Sequence, residues 1–165
     1  MEEKEKQMNA EEQLVVFNLA GETYGIDISL VHEIIRMQTI TKVPKTPHFV
    51  EGVINLRGRI VPVIDLHQRF GLPGTEQTQE SRIIVVEVAG VTVGMIVDSV
   101  SEVLRLPVAN IEPPPPAISG GIDSAYLRGV GKWREQLIIL LELSKVLYKD
   151  QKEMQQDFTE KSRVG

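Results

Sequence analysis

Cysteine is absent from the 165 residues. With it go disulfide frameworks, thiolate nucleophiles and Cys-based zinc sites, and a reducing compartment is the expected setting. Histidine is scarce, present only as His32, His48 and His67. No two of these stand at i, i+4 and no HExxH occurs, so a helical zinc site is not encoded. Each reads as a surface or packing residue. A basic excess is also lacking: 18 Lys plus Arg against 23 Asp plus Glu leave a net charge of −5. Neutralising phosphates needs clustered cations, so nucleic acid is not an expected partner. No run reaches the ~18 apolar residues that span a bilayer. Met1 to Glu12 is too charged for a signal peptide. A soluble, cytoplasmic protein is expected.

The reaction-bearing motifs are missing too. There is no GxxxxGK[ST], GxGxxG or GxSxG. Asp27, Asp65, Asp98 and Asp123 stand near element ends, where aspartate caps and turns are common. No catalytic, cofactor-binding or metal-binding residue is marked. A chain that is 42% apolar has material for a core. A core without a reaction centre points to a binding module rather than an enzyme.

What is present is a pattern of short strands. The first twelve residues hold five acids and two bases and read as a disordered tail. The folded part is expected over 13–148, with a helical or disordered extension over 149–165. Leu14 to Leu19 and Thr23 to Ile28 read as strands around the turn Ala20-Gly21-Glu22. Ser29 is placed to cap a short helix, Leu30 to Arg36, because Val31, Ile34 and Ile35 fall at i, i+3 and i+4. Pro62 puts its strand at an edge or in a bulge. Pro113 to Pro116 reads as a stiff loop. A last helix starts near Leu143, with Leu143, Val146, Leu147 and Met154 on one face, packing on a barrel as a lid.

The pattern occurs twice. LVVFNLAGETYGIDISLVHEII (14–35) aligns without a gap with IIVVEVAGVTVGMIVDSVSEVL (83–104), and seven of 22 positions are identical, among them Gly21/Gly90, Val31/Val100 and Glu33/Glu102. EGVINLRGRIVPVIDLHQRF (51–70) matches RGVGKWREQLIILLELSKVL (128–147), with Gly52/Gly129 and Arg57/Arg134 identical. Two copies of one unit follow, roughly 13–71 and 81–148, with the option of strands exchanged between them. Each copy has about five short strands and Gly-rich turns. The fold class is mainly β: two five-stranded SH3-like barrels sharing an apolar core, with short helices and a C-terminal helix.

Two apolar strands flanking Arg57-Gly58-Arg59 form the most informative stretch. Arg57 is either a solvated turn residue or a guanidinium that orders neighbouring loops and clamps a carboxylate. Tyr24-Gly25-Ile26-Asp27-Ile28, then Pro47 with Phe49 to Gly58 (FVEGVINLRG), then Ile60 to Leu66 (IVPVIDL), and in the second half Val93-Gly94 to Asp98 with Val100 resemble the CheW-like family of bacterial chemotaxis coupling proteins. The resemblance covers about Gln13 to Leu147. It implies two joined SH3-like barrels and no enzymatic activity or cofactor. It implies two partners: the regulatory domain of the histidine kinase CheA, and the cytoplasmic tip of methyl-accepting chemoreceptors. The membrane is then met only through receptors. Carried over residue by residue, the receptor-side candidates are Val31, Glu33, Gly52, Asn55, Arg57 and Gly58, with Val97, Asp98 and Val100 across a groove that takes a helix. Val31 and Val97 are equally readable as core, and Gly52 as a turn requirement. The kinase side falls on loops and strand edges of one barrel. A scaffold of a chemotaxis-like kinase system with another output is the alternative. A ligand-binding or catalytic double barrel would need a closed polar pocket between the barrels.

Overall fold

The computed structural model describes residues 10–74, 76–114 and 124–148. The strands are β1 (Glu11–Leu19), β2 (Glu22–Asp27), β3 (Val31–Arg36), β4 (Val50–Leu56), β5 (Arg59–Asp65), β6 (Arg82–Val88), β7 (Val91–Val97), β8 (Ser99–Pro107), β9 (Ile111–Glu112), β10 (Leu127–Trp133) and β11 (Gln136–Leu141). Two short helices follow β5 and β11: α1 (Leu66–Phe70) and α2 (Leu143–Tyr148). One sheet runs β8-β1-β2-β11-β10-β9 and the other β3-β6-β7-β5-β4. The first has six strands rather than five, because the two-residue β9 pairs with β10.

The copies exchange hairpins. The β1–β2 hairpin of the first copy lies in the sheet with β8 to β11, and the β6–β7 hairpin of the second lies with β3 to β5. The swap is symmetric to the residue. Val31 pairs with Val86 as its repeat mate Val100 pairs with Phe17. Val63 pairs in parallel with Gly94 as Leu140 pairs with Gly25. Both hairpin turns use the same left-handed pair: Ala20 (φ 51) and Gly21 (φ 81), Ala89 (φ 53) and Gly90 (φ 79). That is the twist a two-residue hairpin loop requires.

Burial on both faces explains the unbroken apolar runs. In β1, Leu14 and Val16 face the interior of one barrel, while Val15, Phe17 and Leu19 face a core between the barrels. In β6, Ile83 and Val85 fill the other barrel, while Ile84, Val86 and Val88 face that same shared core. Among the described residues six buried side chains fill each barrel, and 23 form the shared core. Each such side chain contributes about 1.5–3 kcal/mol, so most of the cohesion lies between the barrels and neither small barrel stands on its own interior.

Several expectations are corrected. The helix expected over Leu30 to Arg36 is a 3₁₀ turn, Ile28–Leu30, followed by strand β3. Its cap is Asp27, whose carboxylate accepts from Ser29 N at 2.9 Å, not Ser29. Val31, Ile34 and Ile35 satisfy a helical period, but β-branched residues beside the partner strand β6 settle as strand. β1 begins at Glu11, so Glu11 and Glu12 belong to the sheet rather than the tail. β5 is interior in sheet order, yet Pro62 is tolerated. Val53 opposite it spends its N–H and C=O on Thr41 (2.8 and 2.9 Å), and the ladder to β7 begins only at Val63. α2 is no lid on one barrel. Leu143, Val146, Leu147 and Tyr148 are buried in the shared core, and Arg69 Nε donates to Val146 O at 2.6 Å. Met154, Pro115 and Pro116 lie outside the described residues.

Candidate functional site

β3 and β4 are the two edges of the five-stranded sheet, and one side-chain pair joins them. Arg57 (φ 52) and Gly58 (φ 85) form the tight turn between β4 and β5. Asn55 Oδ1 accepts from Gly58 N at 2.8 Å and locks that turn. Arg57 Nη1 donates to Glu33 Oε2 at 2.7 Å and Nη2 to Oε1 at 2.8 Å. This planar, bidentate geometry is the one in which an Arg–carboxylate pair is strongest. Hydrogen bonds from Arg57 hold the Glu33 carboxyl below the usual carboxylate range, against the opposing effect of desolvation, and Glu33 raises the guanidinium in turn. The Arg57 side chain is still 74% exposed. It is therefore a turn residue that faces solvent and is also fixed in position.

The rest of the expected set divides in two. Val31 and Val100 are half-buried against the shared core. Val97 is 1% exposed and belongs to that core. Gly52 is required by close approach: a Cβ there would collide with Thr41 O. That approach is the bridge between Thr41 and Val53, which repeats at Gly129 against β9. Asp98 follows β7. Its Oδ2 accepts from Ala20 N at 2.8 Å and lies 3.2 Å from His67 Nε2. The structure thus joins Glu33, Asn55, Arg57 and Gly58 directly, and sets Val31, Val97 and Val100 around the core behind them.

Two features were not readable from sequence. His67 is 3% exposed, with Nδ1 3.2 Å from Asp65 Oδ1 and Nε2 3.2 Å from Asp98 Oδ2. It ties the α1 cap to the β7–β8 junction and thence to the β1–β2 turn. An Asp-Leu-His triplet carries no signal for a partner 31 residues away. The second feature is a pair of exposed apolar spots. Ile34 (38%) and Ile60 (68%) lie on one barrel, and their repeat mates Val103 (55%) and Leu137 (61%) on the other. The ion pair does not repeat. Among the described residues Glu102 and Arg134 form no salt bridge, and Arg134 lies 5.6 Å over the Trp133 ring. One fold, used twice, therefore presents two different faces.

Between the barrels the described residues pack as the apolar shared core. Among the described residues no group of His, Asp and Glu is placed to hold a metal ion. No helix among them is long and apolar enough to cross a membrane.

The CheW-like domain family matches residues 13–151. The chain belongs to the CheW-like family. It is 38% identical over 136 residues to the chemotaxis protein CheW of Klebsiella aerogenes, covering 82% of this chain and 81% of that one. It is 30% identical over 143 residues to the protein FrzA of Myxococcus xanthus, covering 86% and 88%. The crystal structure of the scaffolding protein TtCheW from Thermoanaerobacter tengcongensis superposes with a TM-score of 0.81 at 46% identity, covering 88% of this chain and 98% of that one.

Proposed function

We propose that this CheW-like chain is a non-enzymatic chemotaxis adaptor that couples methyl-accepting chemoreceptors to the histidine kinase CheA. The observation that carries the reading is the fixed, solvent-facing Arg57–Glu33 pair at the end of one barrel, in a chain of this family. A guanidinium already held by one carboxylate is pre-organised, so a partner meets it without further loss of side-chain entropy. On the receptor side Arg57 and Glu33 supply the polar anchor. Asn55 and Gly58 hold the turn. Val31, Val100 and the exposed part of Asp98 border the helix-accepting groove, while Gly52 and Val97 shape it from beneath. On the kinase side, a partner regulatory domain of the same double-barrel kind would meet loops and strand edges. On one barrel Ile60, beside the β4–β5 turn, offers exposed apolar area there. The adaptor acts in the cytoplasm and reaches the membrane only through receptors.

Titration calorimetry of the full chain against the CheA regulatory domain and against a receptor-tip fragment tests this. Binding of each at micromolar strength is expected. Absence of both heats at tens of micromolar sinks it. A second reading, an adaptor in a chemotaxis-like kinase system with another output, is favoured only by the match to FrzA. Capture of partners from the native cell extract separates the two.

A further inference from the structure

Arg36 and Arg82 stand directly opposite each other on β3 and β6. Like charges facing across a ladder are unfavourable, and guanidinium cannot shed its proton to escape. Both line an open cleft of about 460 Å³ with Met37, Thr78, Gln79 and Ser81. Arg82 is held in place, its Nη1 donating to Gln79 O and Ser81 O at 2.8 Å each. Arg36 forms no salt bridge among the described residues. The turn at 78–81 adds donors. Ser81 Oγ accepts from Thr78 N at 2.9 Å, and Thr78 Oγ1 accepts from Glu80 N at 3.1 Å. With one lone pair of each hydroxyl so occupied, the O–H protons are left to point elsewhere. Among the described residues no carboxylate lines the cleft; Glu80 is in the turn but is not part of the lining.

The internal repeat supplies a control within the same molecule. Arg36 corresponds to Arg105, and Arg82 to Gln13, which again stand opposite each other, on β8 and β1. That place also carries a cleft, of about 490 Å³, but Glu11, Glu12 and Asp27 line it with Arg105. The fold therefore makes this notch without an arginine pair, and where one arginine is present carboxylates accompany it. In the first cleft the cations are doubled and the carboxylates are gone. The arginine pair is not a requirement of the fold, and none of the described lining residues supplies its counter-charge.

We infer that the Arg36–Arg82 cleft is an anion site for a tetrahedral phosphate group, free or esterified. Two guanidinium forks match phosphate oxygens bidentately, and the Thr78 and Ser81 hydroxyls and the Gln79 amide can add further donors. The site does not include the Arg57–Glu33 pair.

The test is a titration of the full chain with inorganic phosphate at constant ionic strength, followed by amide NMR. The expected result is saturable single-site binding with shifts concentrated at residues 36–37 and 78–82. Arg36→Gln should weaken it about tenfold, the usual loss for one charge-assisted donor. Arg105→Gln in the acidic cleft should leave it unchanged. A parallel titration with phosphoserine assigns the source, since the tighter of the two ligands marks an esterified or a free phosphate. Non-saturating shifts, equal binding by Arg36→Gln in a chain whose amide spectrum shows the native fold, or shifts at the acidic cleft would overturn the assignment.

Discussion

Arg57 and Glu33 offer the sharpest prediction at the level of single residues. The Glu33 carboxyl is held low by Arg57. The pair's contribution is therefore present above the ordinary glutamate range and is lost as pH falls through the depressed folded value. Carboxyl NMR across the acid range should find Glu33 titrating below the other exposed glutamates. In Arg57→Gln it should return to their range, with the amide spectrum otherwise native. Tyr24 gives the opposite sign. Burial, and secondarily the charge of Glu22, pushes its hydroxyl up to about 12. The folded state keeps that proton while an unfolded tyrosine loses its own near 10. Stability is thus intact below about pH 10 and falls as pH rises toward 12. Ultraviolet titration should show Tyr24 ionising together with unfolding, and Tyr24→Phe should extend the alkaline limit. Arg57 could be picked from sequence because a cation between two apolar strands stands out. Glu33 is named only through the family resemblance, and its pairing with Arg57, 24 residues away on the opposite edge of the sheet, carries no sequence signal. His67 was passed over for the same reason, since its two carboxylates converge only when α1 caps against the β7–β8 junction.

Among the elements, hairpins were legible and long-range pairing was not. Ala20-Gly21 and Ala89-Gly90 announce left-handed turns locally, and the structure has them. The stretch after them was misread as helix because Val31, Ile34 and Ile35 suit both periods. Strand β6 decided the matter, and nothing local reveals it. Glycines separate by the same logic. Gly21 has open space around a missing Cβ, so Gly21→Ala should cost only the left-handed strain of about 1 kcal/mol. A Cβ added at Gly52 would collide with Thr41 O, so Gly52→Ala must push apart the β4–Thr41 bridge. A loss of more than about 2 kcal/mol is expected there. Denaturant unfolding of the two variants side by side checks the contrast. Equal midpoints would show that the bridge yields freely.

Across the whole molecule the duplication was plain in the sequence, whereas the exchange of hairpins stood only as an option. The reason is physical: two copies of one unit can pair within themselves or with each other, and the same residues satisfy either arrangement. The exchange, with a shared core larger than both barrel interiors, predicts that neither 10–74 nor 76–148 folds alone. Mixed together, the two fragments should recover a cooperative transition by circular dichroism. A cooperative transition in either fragment by itself would contradict the shared-core account. The same architecture suits an adaptor, because it holds two related but unlike faces at fixed separation: one carries the Arg57–Glu33 pair, and the other carries Trp133 and Arg134 without it. The most direct measurement of that claim is receptor-dependent kinase activity, reconstituted from receptor-bearing membranes, CheA and this chain. The account predicts that the wild-type chain raises kinase activity under receptor control. It also predicts that Arg57→Ala, folded and still binding the CheA regulatory domain, loses about tenfold in the concentration needed. Unchanged coupling by that variant, or no coupling by the wild-type chain, would contradict it.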